Sequence, residues 1–168
     1  VTQTVREATA GDAPEIAAIY NEGIAGRQAT FDTEPCSVAE IAADLRADMA
    51  THPTMAVVAG GKIVGFAWVS KYRSRACYDG VAEFSVYVAG DARRSGVGRL
   101  ALGALIERCE ALGFWKLVSR IFTENAASRG LCRELGFREV GIYRHHAKLD
   151  GVWRDVVIVE RLLGEAAI

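Results

Sequence analysis

The segment between residues 81 and 113 limits the folds open to this chain, because it joins a strand, a glycine-rich turn and a helix in one unit. In Val81-Ala82-Glu83-Phe84-Ser85-Val86-Tyr87-Val88 the side chains alternate. Ala82, Phe84, Val86 and Val88 therefore share one face of a strand, and Glu83, Ser85 and Tyr87 the other. This predicts an apolar face on the core and a polar face that carries chemistry. Asp91-Ala92-Arg93-Arg94-Ser95-Gly96-Val97-Gly98-Arg99 follows. Beyond it Leu102, Leu105, Ile106 and Cys109 recur at helical spacing until Gly113, which reads as a C′ residue.

The rest of the chain alternates in the same way. Val5 begins a short strand. Thr9-Ala10-Gly11-Asp12 offers an N-cap with an acid three residues on, ahead of Ile16, Ile19 and Tyr20 at helical spacing. Ser37-Val38-Ala39-Glu40 is a fuller capping box before Ile41, Leu45 and Met49, and predicts a helix to about Ala50 that Pro53 stops. Met55 to Ala59 and Lys62 to Ser70, joined at Gly60-Gly61, read as a hairpin. A strand from Lys116 to Phe122, a helix from Ala126 to Leu135 ended by Gly136, and two strands around Asp150-Gly151 complete the series. The order β-α-α-β-β-β-α-β-α-β-β predicts an α/β chain with a mixed sheet (α+β). No repeat or linker divides it, so residues 1–168 read as one domain, of ordinary size for one core.

Charge removes several functions. Twenty basic side chains against 21 acidic ones leave a formal net charge of −1, with no general field for a polyanion, so no nucleic acid partner is expected. The longest mostly apolar stretch, Met55 to Val69, is broken by Gly60, Gly61 and Lys62 and falls short of the about 20 residues of a spanning helix. No membrane segment is expected. Val1-Thr2-Gln3-Thr4 lacks the features of a secretory signal. Cys36, Cys77, Cys109 and Cys132 are scattered without a C-x-x-C pair, and His52, His145 and His146 lack zinc-finger spacing. The reading is a reduced, cytoplasmic enzyme or binding domain without a metal.

The glycine-rich turn is where chemistry concentrates. Two glycines at a helix start let backbone N–H groups converge on a phosphate, and the helix dipole adds positive potential. Arg93, Arg94 and Arg99 supply formal charge. The alternative is a plain turn with arginines on its solvated face. Gly96-Val97-Gly98-Arg99-Leu100-Ala101 also matches the G-x-G-x-x-A dinucleotide fingerprint, but that fingerprint turns directly from its strand, whereas here residues 89–95 intervene. A Walker loop is excluded by the missing Gly-Lys-Ser/Thr.

Arg93-x-x-Gly96-x-Gly98 resembles the R/Q-x-x-G-x-G/A acetyl-CoA signature of the GNAT superfamily of N-acetyltransferases, whose element order matches the one above. Tyr78-Asp79 with Ala82-Glu83-x-Ser85-Val86-Tyr87-Val88, Phe31-x-Thr33-Glu34-Pro35, Asn125 ahead of Leu135-Gly136-Phe137, and Gly151-x-Trp153-x-Asp155-Val156 resemble phosphinothricin N-acetyltransferases. Relatives of those enzymes act on methionine sulfoximine, methionine sulfone or arsinothricin. The resemblance implies acetyl-CoA as co-substrate, a small amino-acid substrate and a homodimer.

It also implies roles for residues. Glu83 matches the general base, which takes the amine proton directly or through water; an Arg-paired structural carboxylate is the other reading. The backbone of Val86, Tyr87 and Val88, the loop Arg93, Arg94, Ser95, Gly96, Val97, Gly98 and Arg99, and the Asn125 side chain match the acetyl-CoA contacts. Arg73 and Arg75 alternate along an extended segment and suit anionic oxygens; the resemblance puts them at the substrate end with Phe31, Tyr78 and Tyr87. Where many GNAT enzymes carry a Tyr that protonates the departing thiolate, and phosphinothricin enzymes can carry His, this chain has Cys132. The acid is then Cys132 or water. His145 and His146 receive no role, and Trp153 suits either an interface or the core. The same chemistry on another small amine or a protein amino terminus, and an acyl-CoA sensor without turnover, are the alternatives. The head group of the preferred glutamate analogue is not legible in these residues.

Overall fold

Seven strands and four α-helices follow the expected order in the computed structural model, which describes residues 2–168; Val1, the first residue of the amino-terminal reading, lies outside the described residues. They are β1 (Gln3–Glu7), α1 (Ala13–Ala25), α2 (Val38–Asp48), β2 (Thr54–Ala59), β3 (Lys62–Lys71), β4 (Val81–Val88), α3 (Val97–Ala111), β5 (Lys116–Phe122), α4 (Ala126–Glu134), β6 (Arg138–Leu149) and β7 (Val152–Leu162). The sheet runs β1-β2-β3-β4-β5-β7-β6. β4 and β5 are parallel and joined through α3, while the other neighbours are antiparallel.

Local chemistry accounts for most boundaries. The Ser37 hydroxyl accepts the Glu40 N–H at 3.1 Å, which starts α2 where the capping box predicts. The helix ends at Asp48, two residues before Ala50. The Thr9–Asp12 box is present as expected, but it starts a 3-10 turn ahead of α1. The Asp12 carboxylate accepts the Thr9 N–H at 2.8 Å and two Arg6 nitrogens at 2.7 and 2.9 Å, and this closes a 3-10 turn over Ala10–Asp12. α1 begins only after it, with Pro14 in its first turn, where a missing N–H costs nothing.

Helices pack on both faces of the sheet around β3 and β4, so the polar-looking face of β4 is core at Tyr87 and stays partly open at Glu83 and Ser85, which corrects the expectation of one core face and one polar face. On one side Leu102, Leu105 and Cys109 of α3 meet Ala82, Phe84, Leu117 and Val159. On the other, Ile16, Tyr20, Ile41 and Leu45 of α1 and α2 meet Phe66 and Tyr87. Tyr87 is 7% exposed and lies edge-on or tilted against Tyr20, Phe66 and Trp68. Alternation alone cannot say whether a second layer covers the polar-looking face. α3 sits hard on β3: a Cβ on Gly65 would lie 2.4 Å from Val97 Cγ1. The Val97 side chain is thus core, 1% exposed, and can offer the proposed phosphate cradle only its backbone.

Candidate active site

The sheet splits at its centre. β4 stays paired with β3 from Ala82 to Val88, but its parallel pairing with β5 stops at Glu83↔Val118. β5 meanwhile follows β7 along its whole length. Beyond Glu83 the β5-facing edge of β4 has no strand partner, apart from the Ser119 hydroxyl donating to the Phe84 carbonyl at 2.9 Å. The resulting wedge is lined by Ser85, Val86 and Tyr87 of β4, Ser119, Arg120 and Phe122 of β5, and Asn125, Leu131 and Cys132 of the α4 region. A shallower depression bounded by Glu134, Gly136, Arg161 and Ala167 lies elsewhere and includes none of the expected site residues.

Glu83 stands where the strands part. Its carboxylate accepts Arg120 Nη2 at 3.0 and 3.4 Å, and its side chain is 30% exposed. The ion pair anticipated as the alternative reading is therefore present in this ligand-free state, and the charge beside Glu83 is a cation. Arg120 escaped the sequence reading because the contact depends on the β4–β5 register, which no local pattern encodes.

The α3 end of the wedge carries the glycine-rich loop. Gly96 caps α3 with φ +82°, and Arg94 adopts φ +63°. A turn of this kind aims successive N–H groups outward, and glycine adopts it without steric cost. A Cβ on Gly98 would meet Leu131 Cδ2 at 3.2 Å, so the loop packs closely against α4. Arg93, Arg94 and Ser95 are exposed. Ser95 is tied back by its hydroxyl to the Ala92 carbonyl, and its own carbonyl accepts Gln3 Nε2 at 3.2 Å. Arg99 pairs with Glu134 at 3.1 Å. Both partners are well exposed, and such a pair contributes at most about 1 kcal/mol, so Arg99 remains available to an anion. An open strand edge, outward N–H groups and solvent-facing arginines fit an elongated phosphorylated thioester such as acetyl-CoA.

Asn125 is more committed than expected. Its side-chain oxygen caps α4 by accepting the Ser128 N–H at 3.1 Å, and Nδ2 donates to the Gln28 carbonyl at 3.2 Å. The segment after α1 is thereby tied over the wedge, helped by Arg27 with Asp150 at 2.9 Å and by Phe31, whose ring lies edge-on to Phe122 at 4.8 Å. Cys132 is 3% exposed, and burial pushes its thiol up to about 12. A thiol so weakly acidic is a poor proton donor to a departing thiolate, whose own conjugate acid is stronger.

The outer end holds the two expected arginines. Arg73 lies over the Tyr72 ring at 4.9 Å, and its guanidinium is raised above its ordinary value chiefly by hydrogen bonding to Tyr72, with Tyr78 and Glu83 as lesser contributors. Arg75 is exposed at the start of a 3-10 turn that presents Tyr78, which packs edge-on to Tyr72 at 5.5 Å. The Tyr87 hydroxyl is pushed up to about 12, chiefly by burial, with bonds to Thr30 and Ser85 acting in the opposite direction. His145 and His146 lie away from this cleft on β6, where His145 stacks on Trp153 at 5.5 Å; Trp153 is exposed rather than core. The four cysteines are all free.

Comparison with known proteins agrees with this fold. Residues 18–137 match the Acetyltransferase (GNAT) family model. The chain is 35% identical over 162 residues to the L-methionine sulfoximine/L-methionine sulfone acetyltransferase of Pseudomonas aeruginosa, covering 95% of this chain and 94% of that one. It is also 35% identical over 162 residues to the phosphinothricin N-acetyltransferase of Alcaligenes faecalis, covering 95% and 82%. The crystal structure of a GNAT superfamily phosphinothricin acetyltransferase from Sinorhizobium meliloti in complex with acetyl-CoA superposes with a TM-score of 0.92 at 33% identity, covering 98% and 90%. With a split sheet, a glycine-rich helix start at the split and relatives this similar over nearly its full length, the chain belongs to the GNAT family of acetyltransferases.

Proposed function

We propose that this acetyltransferase moves the acetyl group of acetyl-CoA directly to the α-amine of a glutamate-analogue amino acid, of the class formed by phosphinothricin, methionine sulfoximine, methionine sulfone and arsinothricin. The observation that carries the proposal is the place of Glu83, a half-buried carboxylate at the point where β4 leaves β5. Relatives named for three of these substrates support the class.

Bound acetyl-CoA supplies the activated acetyl carbonyl. The free edge of β4 at Val86, Tyr87 and Val88 receives its amide groups by strand addition. The backbone of Gly96, Val97 and Gly98, with Arg93, Arg94, Ser95 and Arg99, receives its pyrophosphate. Asn125 shapes the mouth of the wedge through its two structural bonds. Glu83 accepts the amine proton, directly or through water, since only the unprotonated amine is nucleophilic. Arg73 and Arg75 hold the acidic end of the substrate, and Phe31, Tyr78 and the edge of Tyr87 line its path. The departing thiolate takes its proton from bulk solvent, whose hydronium and buffer acids are stronger than a Cys132 thiol pushed up to about 12.

Acetylation removes the ammonium charge by which such an inhibitor imitates glutamate, so the activity serves resistance. Four free cysteines support a reducing, cytoplasmic setting, and exposed apolar residues on the last hairpin support a homodimer. No helix among the described residues is long and apolar enough to cross a membrane. The test is thiol release from acetyl-CoA with the four analogues and a panel of ordinary amino acids, amines and peptides. Highest kcat/KM on a glutamate analogue is expected; the same rate on every amine, or none on any amino acid, overturns the reading.

A further inference from the structure

Arg120 is the side chain that touches Glu83, and it is only partly used there. It lies on β5 two residues past Val118, the last partner of Glu83 in the parallel ladder, so both side chains leave the same face of the sheet just where the strands part. Both contacts to the carboxylate come from Nη2, at 3.0 and 3.4 Å. Among the described residues Nε and Nη1 donate to no protein acceptor, although a guanidinium carries five N–H donors in a planar fork. The side chain is 49% exposed and borders the wedge.

Other arginines nearby are committed. Arg129 spends Nε and Nη2 on Glu139 and Nη1 on the Thr123 carbonyl. Arg154 binds Glu124 and the Arg27 carbonyl and covers the Phe122 ring at 4.1 Å. Arg120 is thus a fork with one prong on the base and the rest without a protein acceptor at the border of the cleft.

The substrate's chemistry identifies what would fill that fork. An amine poised on Glu83, directly or through one water, brings with it the carboxylate two bonds away. That group falls beside whatever cation touches Glu83, whereas a side-chain head group several bonds further out reaches toward Arg73 and Arg75. We propose that Arg120 binds the α-carboxylate of the amino-acid substrate through its free nitrogens while Nη2 stays on Glu83. One guanidinium then sets both the base and the amine in register, and makes the site specific for α-amino acids over simple amines. The inference rests on the amino-acid reading above and divides the labour within it: Arg120 takes the α-carboxylate, and Arg73 with Arg75 the head group.

The experiment compares methionine sulfone with its α-carboxamide, a neutral near-isostere, in the wild type, Arg120→Gln and Arg120→Lys, with phosphinothricin as a head-group control. A charge-assisted bond to a carboxylate corresponds to about 10- to 100-fold in kcat/KM. The wild type is expected to favour the acid by that factor. Arg120→Gln brings the ratio close to one, mainly by raising KM for the acid, and leaves the preference between methionine sulfone and phosphinothricin and the KM for acetyl-CoA unchanged. Arg120→Lys restores part of the acid preference. Equal losses on acid and amide in Arg120→Gln overturn the inference, since Arg120 then acts only through Glu83; so does a changed head-group preference, or a wild type indifferent to the carboxylate. A wild type that acetylates none of the amino acids overturns the amino-acid reading itself. Unchanged melting temperatures separate these outcomes from misfolding.

Discussion

Glu83 sits at the one point where β4 leaves β5, and this placement links its chemistry to the fold. On the proposed reading a carboxylate there takes the amine proton beside the bound thioester, so removing its charge should affect turnover far more than binding. Glu83→Gln keeps the size and a hydrogen-bonding side chain opposite Arg120. The expected result is kcat lower by about 10²–10⁴ with an unchanged KM for acetyl-CoA. Cys132→Ala, by contrast, is expected to leave kcat within about twofold, because burial holds that thiol near 12 and unfit as an acid. Steady-state kinetics on both variants checks the pair; near-wild-type turnover in Glu83→Gln would mean that the carboxylate only holds Arg120 in place.

At the level of elements, the joint between α3 and β3 decides whether the glycine-rich loop stays where the wedge needs it. Gly65 has no room for a Cβ, which would come within 2.4 Å of Val97 Cγ1 and 3.1 Å of the Tyr87 carbonyl. Gly65→Ala must push the first turn of α3 away from the sheet. The expected cost is about 1–3 kcal/mol of stability, seen as a lower melting temperature, with weaker acetyl-CoA binding and little change in affinity for the amino acid. Calorimetry of binding to each ligand tests this, and equal weakening of both would indicate general loosening instead. The same joint shows what a sequence can and cannot carry. The strand, the glycine-rich turn and the helix beyond it are all legible, because period and glycine are local, although α3 starts at Val97, ahead of the expected start after Gly98. The burial of the Val97 side chain and of Tyr87 is not, because it depends on α1, α2 and β3 arriving from distant parts of the chain. Arg120 was hidden for a similar reason: the parallel β4–β5 register, made through α3, brings it to Glu83. Alternation along their segments makes Arg73, Arg75 and Glu83 candidates, and the roles proposed for them rest on family resemblance.

At the scale of the whole molecule, the long β6–β7 hairpin leaves one edge of the sheet bare among the described residues. β6 is the outermost strand beyond β7, and β1 is the other edge. β1 spans five residues, but β6 spans 12 and exposes Val140, Ile142 and Tyr143 at 45%, 54% and 53%; Val152 at 62% and Trp153 at 51% extend the apolar surface onto β7. Long, apolar edges are rarely left open to water, since they pair with whatever strand they meet. β6 also carries an irregularity between Tyr143 and Ala147, where His145 takes φ +47° and its N–H is held by Asp155 at 2.7 Å. That bend limits how far another strand could run alongside, and so favours a closed pair of chains over an open-ended stack. A homodimer through this hairpin is the expected solution state, with a mass near twice the 18.1 kDa of one chain. Ile142→Glu puts a charge into the apolar strip without touching the wedge. Light scattering should then report the single-chain mass, while acetyl-CoA binding persists. A wild type that remains monomeric at micromolar concentration would show that the strip serves some other contact.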